Sequence, residues 1–317
     1  MRSIYNTGES TCDLVVGRGT SYSCPLLAGH AALVREYFMS GYYPTGQASL
    51  EDGFSPSGAL LKAMLVHSAV PLELIVNDDK TTESTERGDF NQGYGRAQLD
   101  TVLSFGVNSS LQGLTLFVLG ASNSNSAHYA ELTYTSEYQE IVFTTADTEN
   151  LQPIRATLVY TDMYGTIGAS KVLINDLDLE IYNSTHSFYP LVTTDSEGKY
   201  DRLNTVEVVD ISHPVRNAEY TVKVSAHLLV TTQPFALVLS GEVGRVAYET
   251  RGGESSSLSS EVTLAVVISI VAAFALACVL YLCSNMFSKK DSQRETYVVH
   301  QRSNDYGPTM DDIYRST

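Results

Sequence analysis

Apolar residues recur at helical spacing in two stretches near the beginning of the chain. The first, residues 23–40, has Pro25 in its predicted opening turn, where a proline is tolerated. The second, residues 57–66, begins behind Ser-Pro-Ser, a sequence typical of helix starts. The apolar positions are Leu26, Leu27, Ala31, Val34 and Phe38 in the first stretch and Leu60, Leu61, Ala63, Met64 and Leu65 in the second. The pattern predicts two helices within a mixed α/β region, residues 1–105.

From about residue 112 the apolar positions alternate instead, as they do in β-strands. The segment LINDLDLEIY places Leu177, Leu179 and Ile181 on one face. YTVKVSA (220–226) and FALVLSG (235–241) alternate in the same way, and Gly, Asn, Asp and Ser separate such segments. We therefore predict an all-β sandwich or barrel domain over residues 106–245.

An uncharged apolar segment, VTLAVVISIVAAFALACVLYLC, occupies residues 262–283. A transmembrane helix needs about 20 such residues, so this segment is predicted to cross a membrane once. Lys289 and Lys290 follow it, and the positive-inside rule then places the tail, residues 284–317, in the cytoplasm. Residues 246–261 are predicted to form a polar stalk. The resulting expectation is a single-pass type I protein, bound to a lipid bilayer, whose soluble part is extracellular or lumenal.

Charge and cysteine content limit the possible partners. The chain has 20 Lys and Arg against 36 Asp and Glu, a net charge of -16, and no large basic cluster. Nucleic acid is therefore not an expected partner. Cys12 and Cys24 lie in the soluble part, where they allow either a disulfide bridge or a buried free thiol at Cys24. The oligomeric state is not indicated by the sequence.

The segment that suggests chemistry is GTSYSCPLLAG, residues 19–29. A nucleophilic serine needs an exposed hydroxyl at a tight turn and a backbone N–H directed at the developing oxyanion. It also benefits from a helix whose amino end favours negative charge. Gly19-Thr20-Ser21, followed by the first predicted helix, provides those local requirements.

This segment resembles the serine motif of the subtilisin-like proteases, or subtilases. That motif reads Gly-Thr-Ser-x-Ser/Ala-x-Pro-x-x-small-Gly/Ala. The positions that match it are Gly19, Thr20, Ser21, Ser23, Pro25, Ala28 and Gly29. NQGYGRAQLD (91–100) resembles the end of a subtilase catalytic domain, and DRLNTVEVV (201–209) resembles the C-terminal β-barrel of one subtilase subgroup. The resemblance therefore implies the C-terminal part of a subtilase catalytic domain followed by that β-domain.

The resemblance implies a serine endopeptidase that cleaves protein or peptide substrates through an acyl-enzyme on Ser21, without a required cofactor. In the family, the Asp and His of the triad precede the serine in the chain, and only 20 residues precede Ser21. We therefore expect an N-terminally truncated chain that is inactive on its own. The alternative is a non-catalytic, membrane-anchored β-domain with an adhesion or scaffolding role.

Two further features carry expectations about ligands and modification. Asp176, Asp178, Asp201, Asn204 and Glu207 offer oxygen ligands of the type that calcium prefers, and the resembling subgroup binds calcium in its β-domain. Alternating acids on a strand more often form a solvated face, so the metal ligands stay undefined. Asn108 and Asn183 begin glycosylation sequons, which make the chain a glycoprotein if this part is lumenal.

Overall fold

The computed structural model describes residues 2–6, 12–17, 19–76, 81–106 and 114–251, which all belong to one unit, Met1–Ser255. A second unit, Ser256–Thr317, lies outside the described residues. Helix α1 spans Thr20–Met39 and helix α2 spans Gly58–His67, and a 3-10 helix spans Leu99–Thr101. Both helix predictions are confirmed, although α1 begins at Thr20 rather than at Ser23.

Strands make up most of the remaining regular structure. They are β1 (Arg2–Asn6), β2 (Cys12–Val16), β3 (Ala69–Val70), β4 (Leu74–Val76), β5 (Thr82–Ser84), β6 (Arg96–Ala97), β7 (Thr115–Leu119), β8 (Glu131–Leu132), β9 (Tyr138–Thr145), β10 (Ile154–Tyr160), β11 (Asp176–Tyr182), β12 (Ser187–Phe188), β13 (Val206–Ile211), β14 (Glu219–Leu228), β15 (Gln233–Gly241) and β16 (Val243–Arg251). Among the described residues every strand pairing is antiparallel.

Two five-stranded sheets contain the longer strands. Sheet I has the order β13-β10-β15-β7, and β8 also pairs with β15. Sheet II has the order β12-β11-β14-β9-β16. The strands predicted from alternation near residues 177–181, 220–226 and 235–241 are confirmed as parts of β11, β14 and β15.

The facing sides of the two sheets share one hydrophobic core. Leu158 and Leu237 of sheet I and Leu179 and Val222 of sheet II belong to it, and all four are fully buried. Full burial of an aliphatic side chain of this size stabilises a fold by roughly 1.5–3 kcal/mol. The period-two pattern of the sequence thus places alternate residues of each strand in this core.

The opposite side of sheet I is buried as well, because helix α2 packs on it. Val159 and Val238 point from sheet I into a second core that contains Leu60 and Met64 of α2. Ser57 caps this helix: its hydroxyl oxygen accepts the N–H of Leu60 at 3.1 Å. The result is three layers, with α2 on sheet I and sheet I on sheet II.

The predicted α/β class of residues 1–105 is wrong. The described chain is mostly β-sheet with two α-helices, and its strands before residue 105 form only two-stranded antiparallel ladders. A helix is stabilised mainly by packing of its apolar side. For α2 that surface comes from β10 and β15, far along the chain, rather than from a parallel sheet next to it in sequence. The predicted domain boundary between residues 105 and 106 stays a prediction.

The transmembrane helix of the predicted fold is not supported. No helix among the described residues is long and apolar enough to cross a membrane. Residues 262–283, where that helix was predicted, lie outside the described residues, and so does the tail predicted for residues 284–317. Strand β16 continues to Arg251 and so occupies the first part of the predicted stalk.

Candidate active site and a buried acidic cluster

Ser21 lies in the first turn of α1, two residues after Gly19, the N-cap residue of that helix. Gly19 has φ 132° and ψ 164°, and side-chain-bearing residues rarely adopt that positive φ. Its carbonyl accepts the N–H groups of Tyr22 at 3.1 Å and Ser23 at 3.3 Å. The N–H of Ser21 is one of the first amides of the helix, which have no partner in a preceding turn. The serine motif therefore forms a turn followed by a helix start.

Two neighbours shape this turn further. A side chain at Gly17 would collide with the ring of Tyr22, so Tyr22 lies directly on the backbone there. Pro25 lies in the second turn of the helix rather than in its opening turn, because α1 begins at Thr20. Proline has no N–H, so the carbonyl of Ser21 does not receive the helical bond that residue 25 would otherwise donate.

The part of α1 that carries Ser21 is exposed. Every residue from 19 to 29 except Tyr22 is exposed, including Leu26 and Leu27, whereas Val34 and Phe38 near the other end are fully buried. Within the described residues the Ser21 hydroxyl makes no hydrogen bond. An exposed hydroxyl at a helix amino terminus can attack an electrophile where the helix dipole favours negative charge.

Within the described residues no hydrogen bond joins Ser21 to a histidine. His67 is fully buried, and its ring nitrogens lie 2.9 Å from the Thr157 hydroxyl and 2.8 Å from the Ser240 hydroxyl. Burial lowers the pKa of His67 well below its ordinary value, and the nearby Arg155 and Arg87 lower it further. This histidine is neutral at pH 7 and joins α2 to sheet I.

Two other histidines are also directed elsewhere. His128 stacks on Phe54 with ring centroids 4.5 Å apart. His30 lies nine residues after Ser21 on α1, about 13 Å along the helix axis at ~1.5 Å per residue. Its Nδ1 is buried and has no hydrogen-bond partner among the described residues. At that separation His30 cannot take the proton of the Ser21 hydroxyl.

The acids considered as calcium ligands come together at one edge of β11. Asp176 and Asp178 are buried, and the guanidinium of Arg202 binds both carboxylates. Lys171 binds the other oxygen of Asp176 at 3.2 Å. The expectation that these acids form a solvated face is therefore wrong, because two cations cover them.

Glu207 and Asp201 extend this cluster. Glu207 is buried, and its Oε2 accepts the N–H of Leu179 at 2.6 Å, whereas its Oε1 has no partner within the described chain. Burial raises the pKa of Glu207 well above its ordinary value, and the charge of Asp178 raises it further. Asp201 accepts the side-chain amide of Asn204 at 2.6 Å. In the described part of the chain no group of three His, Cys, Asp or Glu is arranged to hold a metal ion, and calcium binding stays a prediction.

Asp178 makes stability depend on pH. Burial raises its pKa from 3.8 to about 6, and Asp176 and Asp195 add to the shift while Arg202 opposes it. The folded protein thus binds a proton more tightly than the unfolded chain. The resulting stabilisation is complete below pH 3.8 and is lost as the pH rises through about 6. His67 has the opposite effect: because its pKa is lowered in the folded protein, it reduces the stability as the pH falls below 6.5, its ordinary pKa.

We therefore compare the wild type with Asp178→Asn, which cannot take up that proton. When the pH falls from 7 to 5, the free energy of unfolding of the wild type should increase by about 1 kcal/mol relative to that of Asp178→Asn. Urea unfolding at the two pH values measures this difference. Asp147→Asn, at an exposed site, is the control and should follow the wild type. Identical pH profiles for Asp178→Asn and wild type would contradict the assignment.

The remaining sequence predictions can be located in part. Cys24 is exposed and carries a free thiol, so it is neither buried nor bridged. Asn183 begins the turn between β11 and β12, where its Oδ1 accepts the N–H of Thr185 at 2.9 Å. Glycosylation of Asn183 stays a prediction, and Asn108 lies outside the described residues. The role of Arg202 could not be predicted from the sequence, because only the folding of the chain brings it into contact with Asp178.

Comparison with known proteins supports a link to serine proteases. No family model matches the chain. It is 27% identical over 244 residues to the serine protease/ABC transporter B family protein tagA of Dictyostelium discoideum. It is 25% identical over 258 residues to tagB and 29% identical over 198 residues to tagD, which have the same description and organism. The matches cover 74%, 72% and 56% of this chain but only 13%, 13% and 11% of those proteins. The chain is thus similar to a small part of serine-protease-like proteins, and a subtilase subgroup is not established by these matches.

Proposed function

We propose that this chain forms part of a serine endopeptidase in which Ser21 is the nucleophile. The observation that carries the proposal is the position of Ser21, exposed at the start of α1 behind Gly19 in a sequence that matches the subtilase serine motif. The names of the related proteins, which include a serine protease, support the same reaction class. Protein or peptide chains are the proposed substrates.

In the proposed reaction the Ser21 Oγ attacks the carbonyl carbon of a peptide bond, and its proton passes to a general base. The N–H of Ser21 stabilises the oxyanion that forms. The C–N bond then breaks, the amine leaves with the proton, and water hydrolyses the Ser21 ester. The base would come from outside the described residues. The related proteins are far longer than this chain, which spans 13% of tagA, and so can contain that residue.

The test is labelling by a fluorophosphonate probe of the longest natural product that contains this chain. We expect labelling that Ser21→Ala abolishes and that Ser23→Ala retains. Ser23 is a matched control because it is exposed on the same helix turn, where its hydroxyl donates weakly to the Gly19 carbonyl at 3.4 Å. No labelling of the unsubstituted product, or labelling that survives Ser21→Ala, would overturn the proposal and favour a non-catalytic domain.

We also propose that the protein works at a membrane. The related proteins are named as combined serine protease and ABC transporter, and this chain contains the uncharged apolar segment 262–283. A run of that length and composition prefers lipid to water. Flotation of the full chain with lipid vesicles tests this location, and a chain that stays at the bottom of the gradient would contradict it.

A further inference from the structure

Four buried carboxyl groups lie close to one another where β13 approaches β11. They belong to Asp176, Asp178, Asp201 and Glu207, and each of these residues is at most 6% exposed. Burial raises the pKa of Glu207, and the charges of the other three raise it further. Buried negative charge needs compensation. Calcium, which takes roughly six to eight oxygen ligands, is one candidate for that role.

Two cations of the chain itself bind the acids of β11. The guanidinium of Arg202 binds Asp176 at 3.2 Å and also binds Asp178. The ammonium group of Lys171 binds the other oxygen of Asp176 at 3.2 Å. The two positive charges therefore balance the two carboxylates of β11. A metal ion bound to both of these carboxylates would have to displace Arg202.

Asp201 is compensated by neutral donors. Its Oδ1 accepts the Thr194 hydroxyl at 3.0 Å and the N–H groups of Leu203 at 3.0 Å and Asn204 at 3.3 Å. Its Oδ2 accepts the side-chain amide of Asn204 at 2.6 Å. Several hydrogen bonds of this kind stabilise the charged form of a buried carboxylate. Asp201 thus needs no metal ion to remain ionised.

The loop between β12 and β13, residues 189–205, holds the Arg202 side chain in position. The backbone N–H of Arg202 donates to the Thr194 hydroxyl at 2.7 Å. Its guanidinium carbon lies 4.9 Å from the centre of the Tyr200 ring, which packs edge-on against the ring of Tyr189. A guanidinium group is always charged, and its planar donors suit carboxylates. Backbone and aromatic contacts therefore direct a permanent cation at the acids of β11.

Glu207 has the remaining oxygen that a metal ion could bind. Its Oε1 is buried and has no hydrogen-bond partner among the described residues. A carboxyl group buried without a counter-charge takes up a proton rather than stay ionised. One such oxygen is also too few for calcium. We propose that Arg202 is the built-in counter-ion of this acidic cluster, in the place considered for calcium, and that the described fold does not depend on calcium.

Thermal unfolding of the full chain with and without calcium tests this proposal. Arg202→Met removes the guanidinium and keeps a flexible apolar side chain next to Tyr200. Lys199→Met is the matched control, because Lys199 lies in the same loop and binds Glu197 where both side chains are largely exposed. Each protein is unfolded in EDTA and in increasing concentrations of calcium chloride. Far-UV circular dichroism gives the midpoint temperature.

We expect the midpoint of the wild type to be the same in EDTA and in calcium. Arg202→Met should unfold about 10 °C lower in EDTA, because two buried carboxylates lose their shared cation. Calcium should restore part of this loss, since it can bind carboxylates that the guanidinium no longer occupies. The midpoint of Lys199→Met should match that of the wild type in both solutions.

Two results would overturn the proposal. The first is a wild-type midpoint that rises with calcium and no longer rises in Asp178→Asn, because the cluster would then bind the metal ion. The second is an Arg202→Met protein that is as stable in EDTA as the wild type, because Arg202 would then not act as the counter-ion. If Arg202→Met does not fold, the titrations of the wild type and Asp178→Asn still distinguish calcium from Arg202.

Discussion

Replacing Ser21 by alanine should lower kcat of the protease that contains this chain by about 10⁶, as loss of a triad serine does. The substitution removes the oxygen that forms the acyl-enzyme, so the remaining rate comes from substrate binding and oxyanion stabilisation alone. KM should change little, because a small exposed hydroxyl contributes little to ground-state binding. Steady-state hydrolysis of a peptide substrate by the longest natural product measures both constants.

The control for this prediction is Ser23→Ala. Its side chain starts two residues further along the same helix, and its removal takes away one weak hydrogen bond, to the Gly19 carbonyl at 3.4 Å. We expect kcat within a few-fold of the wild type. If Ser21→Ala and Ser23→Ala lowered kcat equally, the effect would be structural. If Ser21→Ala retained most of the activity, Ser21 would not be the nucleophile.

Local sequence patterns predicted both α-helices and three of the strands in the described residues. Helices α1 and α2 and strands β11, β14 and β15 all form where apolar spacing indicated. Their class of architecture could not be predicted in the same way, because it depends on which surface covers each helix. The apolar side of α2 is covered by Val159 and Val238, which follow it by about a hundred residues or more. No local pattern contains that information.

Strand β10 shows a related limit. Its residues 156–160 are all buried, because sheet II covers one side and α2 covers the other. A strand buried on both sides loses the alternation by which strands are recognised, and so it is easily missed in a sequence. The alternating acids of β11 led to a different error, because they indicated a solvated face where the structure has buried side chains. Asp176 and Asp178 alternate as if solvated, yet Arg202 from a later loop covers them.

The environment of the candidate nucleophile was predictable only in part. Gly19 and Ser21 predicted the turn from sequence alone, and the structure has that turn, but the helix begins at Thr20, so Pro25 lies in its second turn. The long exposed stretch of α1, with Leu26 and Leu27 at its surface, could not be anticipated from its composition, which is typical of a buried helix. Whether a helix surface is exposed depends on which other parts of the fold pack on it, and those parts are distant in sequence.

Removing the carboxylate of Asp210 should destabilise the fold by about 3 kcal/mol, because two largely buried cations would lose their counter-charge. Asp210 on β13 lies 2.7 Å from Arg87 and 2.7 Å from Arg155. Arg155 also donates to the carbonyl of His67 at 2.7 Å and thereby holds the end of α2 on sheet I. Burial lowers the pKa of Arg87 to about 10, with the charge of Arg155 adding to the shift. Urea unfolding of Asp210→Asn at pH 7 measures the loss.

Asp147→Asn is the matched control for this network. Asp147 faces Arg216 at 3.9 Å, and both side chains are mostly exposed, so that pair should contribute less than about 1 kcal/mol. An Asp210→Asn protein whose stability lies within the ~0.5 kcal/mol typical of surface substitutions would contradict the prediction. The origin of the loss can be tested by adding Arg87→Met to Asp210→Asn. If uncompensated charges cause the loss, the second substitution removes one of the two, and the double variant should be more stable than the sum of the two single effects predicts.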